Sequence, residues 1–110
     1  MIKENAIYID HVLNALKKIT LYIQGKNETS FMDDSIVQDA VIRQFEIIGE
    51  ATKRISKDFK KDHNEIPWKD MAGMRDVLIH DYIDVDLFMV WKTANEDVPT
   101  LTKQIEKLVK

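Results

Sequence analysis

The 110-residue chain has no cysteine, only three glycines and two prolines, and no apolar run that approaches membrane-spanning length. Without cysteine neither a disulfide framework nor a thiolate metal site can form. Three glycines are too few for a glycine-rich phosphate loop. With so few turn-forming residues, long helices joined by short connections are expected. Strand alternation, internal repeats and low-complexity tracts are also missing. The start, Met1-Ile2-Lys3-Glu4-Asn5, lacks the apolar core of a signal peptide, so a cytoplasmic protein with no membrane contact is expected. The net charge of −3 lacks the basic excess of a non-specific nucleic-acid binder. The three histidines, His11, His63 and His80, form no Glu-x-x-His or His-x-x-x-His pair, and therefore no metal site or cofactor is expected.

What is present is ordinary for a globular domain: 45% hydrophobic and 32% charged residues. A chain of this length forms one domain, residues 1–110, and buries roughly two thirds of its unfolded surface. Ile9, Leu13, Leu16, Thr20 and Ile23, widened by Ala6 and Val12, predict a first helix over 3–24, closed by Gly25. Residues 28–33 read as a connector, and Asp33, Asp34 or Ser35 can cap the next helix.

That second helix is predicted over about 34–60 from Ile36, Val37, Ala40, Val41, Phe45, Ile48, Ala51, Ile55 and Phe59, with Ile47 extending the face. Gly49 in its middle suits the close approach of a neighbouring helix. Lys53, Arg54, Lys57, Lys60 and Lys61 gather at its end. They fit either favourable charge at the negative helix terminus or an edge that contacts phosphates. His63 falls in a polar loop and is expected to be exposed and inert.

Pro67 opens a short helix near 67–72, with Trp68, Met71 and Met74 facing inward. A third main helix is predicted over roughly 72–82, and Asp84 or Asp86 can cap the last one. Leu87, Trp91, Ala94, Val98, Leu101, Ile105 and Leu108 keep helical phase across Pro99, which predicts a kinked helix and not a loop. The architecture is all-α: an up-and-down bundle of four main helices with an additional short one.

The chemistry concentrates in Met74–Tyr82. Arg75 and His80 lie five apart, about 7.5 Å of rise and roughly 140° of rotation on a helix, so they share a rim without stacking. Asp76 and His80 are four apart and face each other. Tyr82 would return to the face of Arg75. Such a set suits a phosphodiester: Arg for the phosphate, His for proton transfer, Asp to fix the imidazole tautomer. The same residues would also serve as a solvated rim at a helix end. Glu50 in helix two is open to two readings, a rim carboxylate or a support for Arg75.

Arg75-x4-His80-x-Tyr82 resembles the signature of the HepT-like branch of the HEPN superfamily. Ile48-Gly49-Glu50-Ala51, Ile66-Pro67-Trp68, Val90-Trp91 and Asp97-Val98-Pro99-x-Leu101 also resemble segments of that family, in the same order. The resemblance implies a HEPN-like helical bundle and a homodimer whose two motifs meet in a shared cleft. It implies a metal-independent endoribonuclease toxin acting on RNA within a type VII-like toxin–antitoxin pair. It also implies an MntA-like minimal nucleotidyltransferase as antitoxin partner. Arg75 and His80 would then be the catalytic pair, supported by Asp76 and Glu50, and Tyr82 the site of AMP modification. Asp76 stands where the family more often has Asn, and its charge would repel RNA phosphate. The alternative is a non-catalytic helical partner that positions substrate for a nucleotidyltransferase, and a third reading is a structural dimer with a degenerate site.

Overall fold

A computed structural model describes residues 3–74 and 85–109. All secondary structure among them is helical: α1 (Lys3–Tyr22), α2 (Glu28–Met32), α3 (Ser35–Arg54), α4 (Lys57–Asp62), α5 (Trp68–Ala72), α6 (Leu87–Lys92), a π-helical turn (Thr93–Asp97) and α7 (Val98–Glu106). The helix predicted over 72–82 lies almost wholly outside the described residues. So do Asp84 and the motif residues Arg75, Asp76, His80 and Tyr82.

α1 packs along α3 and against α7, while α5 and α6 pack on α3. Ile9, Val12, Leu13, Leu16 and Ile19 give α1 a stripe at spacings of three and four, all of it buried against Val41, Phe45 and Ile48 of α3 and Val98, Leu101 and Ile105 of α7. Thr20, counted in that stripe from the sequence, is exposed and returns its hydroxyl to the Leu16 carbonyl at 3.1 Å. Gly25 closes the helix with φ +78°, the left-handed conformation for which the sequence reading selected it.

Two expectations need correction. Residues 28–32 form α2 and not a plain connector. Asn27 Oδ1 accepts from Ser30 N–H, while Ser30 Oγ accepts from Asn27 N–H, so each residue satisfies one end of the other. Gln38 then donates to the carbonyls of Phe31 and Met32, which explains a buried amide in the core. Phe31, wholly buried, lies 5.3 Å from the Trp91 ring.

The long helix predicted over 34–60 is broken in two. Ile55 turns extended (φ −72°, ψ 136°) and Ser56 caps α4 by accepting from Phe59 N–H. Asn5 of α1 fixes this bend: its Oδ1 accepts from Ser56 N–H and its Nδ2 donates to Ser56 Oγ, both at 3.0 Å. The apolar face survives the break, because Val41, Phe45, Ile48, Ala51 and Ile55 are all buried. Ile36 is the exception, at 81% exposed in the first turn of α3.

The last helix runs through Pro99 as expected, but by widening. Pro99 has no N–H, and its ring collides with the carbonyl four residues back. Val98 N–H bonds to Thr93, five residues back, so the turn just before Pro99 holds one extra residue. Asp86 caps α6 through Met89 N–H. Trp68, Met71 and Met74 are buried as predicted, with the indole N–H of Trp68 donating to the His63 carbonyl at 2.9 Å.

Candidate functional site

Of the catalytic, supporting and modification residues inferred from the family resemblance, Glu50 alone lies among those the structure describes. It sits exposed on α3 in a groove where α1 lies along that helix. The sequence builds one wall directly: Arg43, Glu46, Ile47, Glu50, Ala51 and Arg54 recur every three or four residues and share a stripe beside the buried face. Tyr8 and His11, one turn apart on α1, form the other wall, with their rings edge to face at 6.1 Å. The groove encloses about 260 Å³.

The polar groups here are two guanidiniums, two carboxylates, a phenol and an imidazole. Among the described residues no carboxylate lies within 4.0 Å of Arg43 or Arg54, although helical spacing offers Glu46 to the first and Glu50 to the second. Glu46 and Glu50 are each held in interactions of their own. Sequence reading found Glu50 through the Gly-Glu segment and Arg54 in the basic cluster at the helix end, but gave no role to Tyr8, His11, Arg43 or Glu46. The signal was present in the 43-46-50-54 polar stripe, which runs next to the apolar one.

The other candidates resolve structurally. His63, expected to be exposed and inert, is half-buried. Its ring stacks on Phe59 at 4.5 Å, its Nδ1 lies 3.8 Å from Glu65, and its carbonyl holds Trp68. Lys53 and Arg54 lie in the last turn of α3, and Lys60 and Lys61 in that of α4, the arrangement favoured by helix dipoles. Burial, and then the charge of Lys57, lower the Lys60 pKa from its ordinary value. A second groove of about 410 Å³, between α5 and α7, is lined by Glu65, Asp70 and Asp97 around Met71, Met74 and Leu101. Among the described residues no cluster of three His, Asp or Glu could hold a metal ion, and no helix is long and apolar enough to cross a membrane.

An all-helical domain with a groove of mixed charge beside its central helix is compatible with many activities, and sequence comparison narrows them. The family model described as "Ribonuclease HepT-like" matches residues 12–108, and the chain belongs to that family. It is 47% identical over 103 residues to a Thermococcus cleftensis protein named "Probable ribonuclease HepT", covering 94% of each chain. It is 42% identical over 109 residues to a Methanocaldococcus jannaschii protein named "Gamma-glutamylcyclotransferase and putative RNase". That match takes in 99% of this chain but only 49% of the relative, so the chain spans about half its length. No solved structure matches the chain significantly.

Proposed function

We propose that the chain is a metal-independent endoribonuclease whose catalytic pair is Arg75 and His80. The observation that carries this reading is family membership over residues 12–108 in a sequence that retains Arg75-x4-His80-x-Tyr82. The Thermococcus relative, matched over nearly its whole length, is named as a ribonuclease.

The chemistry needs few groups, because RNA carries its own nucleophile. A neutral His80 removes the 2′-hydroxyl proton and the oxygen attacks the adjacent phosphorus. The P–O5′ bond then breaks, leaving a 2′,3′-cyclic phosphate and a 5′-oxygen that takes up a proton to become a hydroxyl. General acid–base help of this kind is worth about 10²–10⁴ in rate. Arg75 neutralises the charge that develops on the phosphorane oxygens. In an in-line displacement the attacking and leaving oxygens lie on opposite sides of phosphorus, so a histidine beside the 2′-oxygen is badly placed to protonate the 5′-oxygen, and a twofold dimer supplies a second.

In this reading the protein is the toxin of a type VII-like toxin–antitoxin pair. Its partner is an MntA-like nucleotidyltransferase that transfers AMP to the Tyr82 hydroxyl. The added phosphate and its bulk would compete with RNA for Arg75. Asp76 weighs against activity, since its carboxylate repels phosphate; the second reading is a non-catalytic subunit that positions substrate for the nucleotidyltransferase.

One experiment separates the two. Purified wild type and His80→Ala are incubated with RNA in excess EDTA, and both are also induced in cells. Cleavage to cyclic phosphate ends by the wild type alone, with growth arrest by the wild type alone, is the expected result. No cleavage by folded, AMP-free wild type overturns the enzyme reading in favour of the partner role. Cleavage that EDTA abolishes overturns metal independence, and equal cleavage by both proteins removes His80 from the mechanism.

A further inference from the structure

We propose that Arg43 and Arg54 are positioning residues that hold backbone phosphates of an RNA strand laid along the groove between α1 and α3. The inference rests on the ribonuclease reading above and deepens it by giving the substrate a path outside the catalytic motif.

Both guanidiniums line the same groove as Glu50, and both are exposed. Neither has a carboxylate within 4.0 Å among the described residues, whereas Lys26 is paired with Asp34 at 2.8 Å. A guanidinium without a carboxylate partner keeps its planar fork available for bidentate phosphate contact. The two arginines are 11 residues apart on one helix, about 16 Å along its axis. That separation is too great for one phosphate and suits a chain of them.

What lies between the arginines fits the same ligand. Glu46 and Glu50, each held in interactions of its own, would repel a phosphate and so confine the backbone to the two arginine ends of the groove. The order cation, carboxylates, cation along α3 therefore suits two separated phosphates with more than one nucleoside between them. On the opposite wall the Tyr8 and His11 rings offer the aromatic surface on which unstacked bases settle.

The test uses Arg43→Gln, Arg54→Gln, the double variant and the corresponding Lys substitutions. Lys17→Gln/Lys18→Gln, exposed on α1 and outside the groove, is the control. Binding of an unstructured RNA strand is followed by fluorescence anisotropy across a salt series, and cleavage by steady-state kinetics. Each Gln variant is expected to weaken binding roughly tenfold, the size of one charge-assisted hydrogen bond. Each should also reduce the salt slope by about 0.7. KM should rise more than kcat falls, the deficit should be larger for a long strand than for a dinucleotide, and Lys should restore the slope but only part of the affinity.

Wild-type binding with unchanged affinity and salt slope in the folded double variant overturns the inference and leaves the ribonuclease reading intact. Loss equal to that of the control pair also overturns it, as non-specific charge. If the wild type neither binds nor cuts RNA, the ribonuclease reading fails and the groove assignment with it.

Discussion

The bend between α3 and α4 gives the sharpest stability prediction, because two hydrogen bonds from one side chain hold it. Asn5 is only 3% exposed, and both ends of its amide are bonded to Ser56. Asn5→Ala removes both bonds and leaves the Ser56 N–H unpaired where the chain has left the helix. Each lost bond costs about 0.5–1.5 kcal/mol, and an orphaned buried donor adds to that. A total of about 2–3 kcal/mol is expected, or Tm lower by roughly 8–12 °C for a domain of this size.

Ser56→Ala keeps its own N–H bonded to Asn5 but loses the cap on Phe59 N–H and the partner of Asn5 Nδ2, about 1–2 kcal/mol. Since the two residues share one bond, the double variant should recover about 1 kcal/mol against additivity. Urea unfolding of the four proteins at one fixed protein concentration measures this. A loss below about 0.5 kcal/mol for Asn5→Ala, or strictly additive losses, would refute the claim that the clasp fixes the bend.

Other substitutions probe different forces. Thr52 is fully buried and its hydroxyl has no hydrogen-bond partner, so Thr52→Val should stabilise by about 1 kcal/mol; destabilisation in the same titration would contradict this. Phe31→Ala, emptying the site beside Trp91, should cost about 3–5 kcal/mol and alter indole fluorescence, and a smaller loss would mean that α2 contributes little to the core. Lys26 at 2.8 Å, and then the Val37 N–H, hold the Asp34 carboxyl below its ordinary value of 3.8. A lowered carboxylate stabilises the fold above its unfolded pKa, and that contribution disappears as pH falls through the folded value. Asp34→Asn should therefore melt lower than wild type at neutral pH and converge with it below pH 3.8; an unchanged gap in acid would assign the effect to capping geometry instead.

Much of the helical framework was legible because its signal is periodic. Twenty residues of α1 repeat an apolar stripe nearly six times, and the terminal helix keeps its phase from Leu87 to Ile105. α2 was not legible that way, because five residues cannot display a period. Its only sign was the reciprocal Asn27/Ser30 cap. The bend at Ile55–Ser56 was hidden for the opposite reason. Ile55 and Phe59 keep the apolar phase of α3, so the pattern runs on while the backbone stops, and only Ser56 as a capping residue marks the break. Ile36 failed as a core residue because it lies on the outward side of the first turn of α3, while Gln38 in the same turn faces α2. Glu50 was found through a short family resemblance. Arg54 was found only as part of a basic cluster, and Tyr8, His11 and Arg43 were not found, because the groove needs two helices in register and neither helix reveals the other.

The net charge of −3 looked unfavourable for an RNA-directed protein, and the arrangement of charges shows why that number is the wrong measure. Screening confines each charge to about 8–10 Å at ordinary salt, less than the span of this domain, so a ligand senses one face and not the sum. Three of the acids, Glu65, Asp70 and Asp97, line the groove between α5 and α7, with no cation among the described residues that line it. Arg43 and Arg54 lie on the α1 side of α3, and Lys57, Lys60 and Lys61 occupy one arc of α4. The same excess of carboxylates that argues against indiscriminate polyanion binding would repel a strand from the α5–α7 side. In a ribonuclease this favours entry along α1 and α3, the side that carries Glu50. Neutralising the acidic groove, for instance with Asp70→Asn/Asp97→Asn, should therefore add weak, salt-sensitive RNA binding without lowering KM for cleavage. A fall in KM would show instead that substrate passes through that groove.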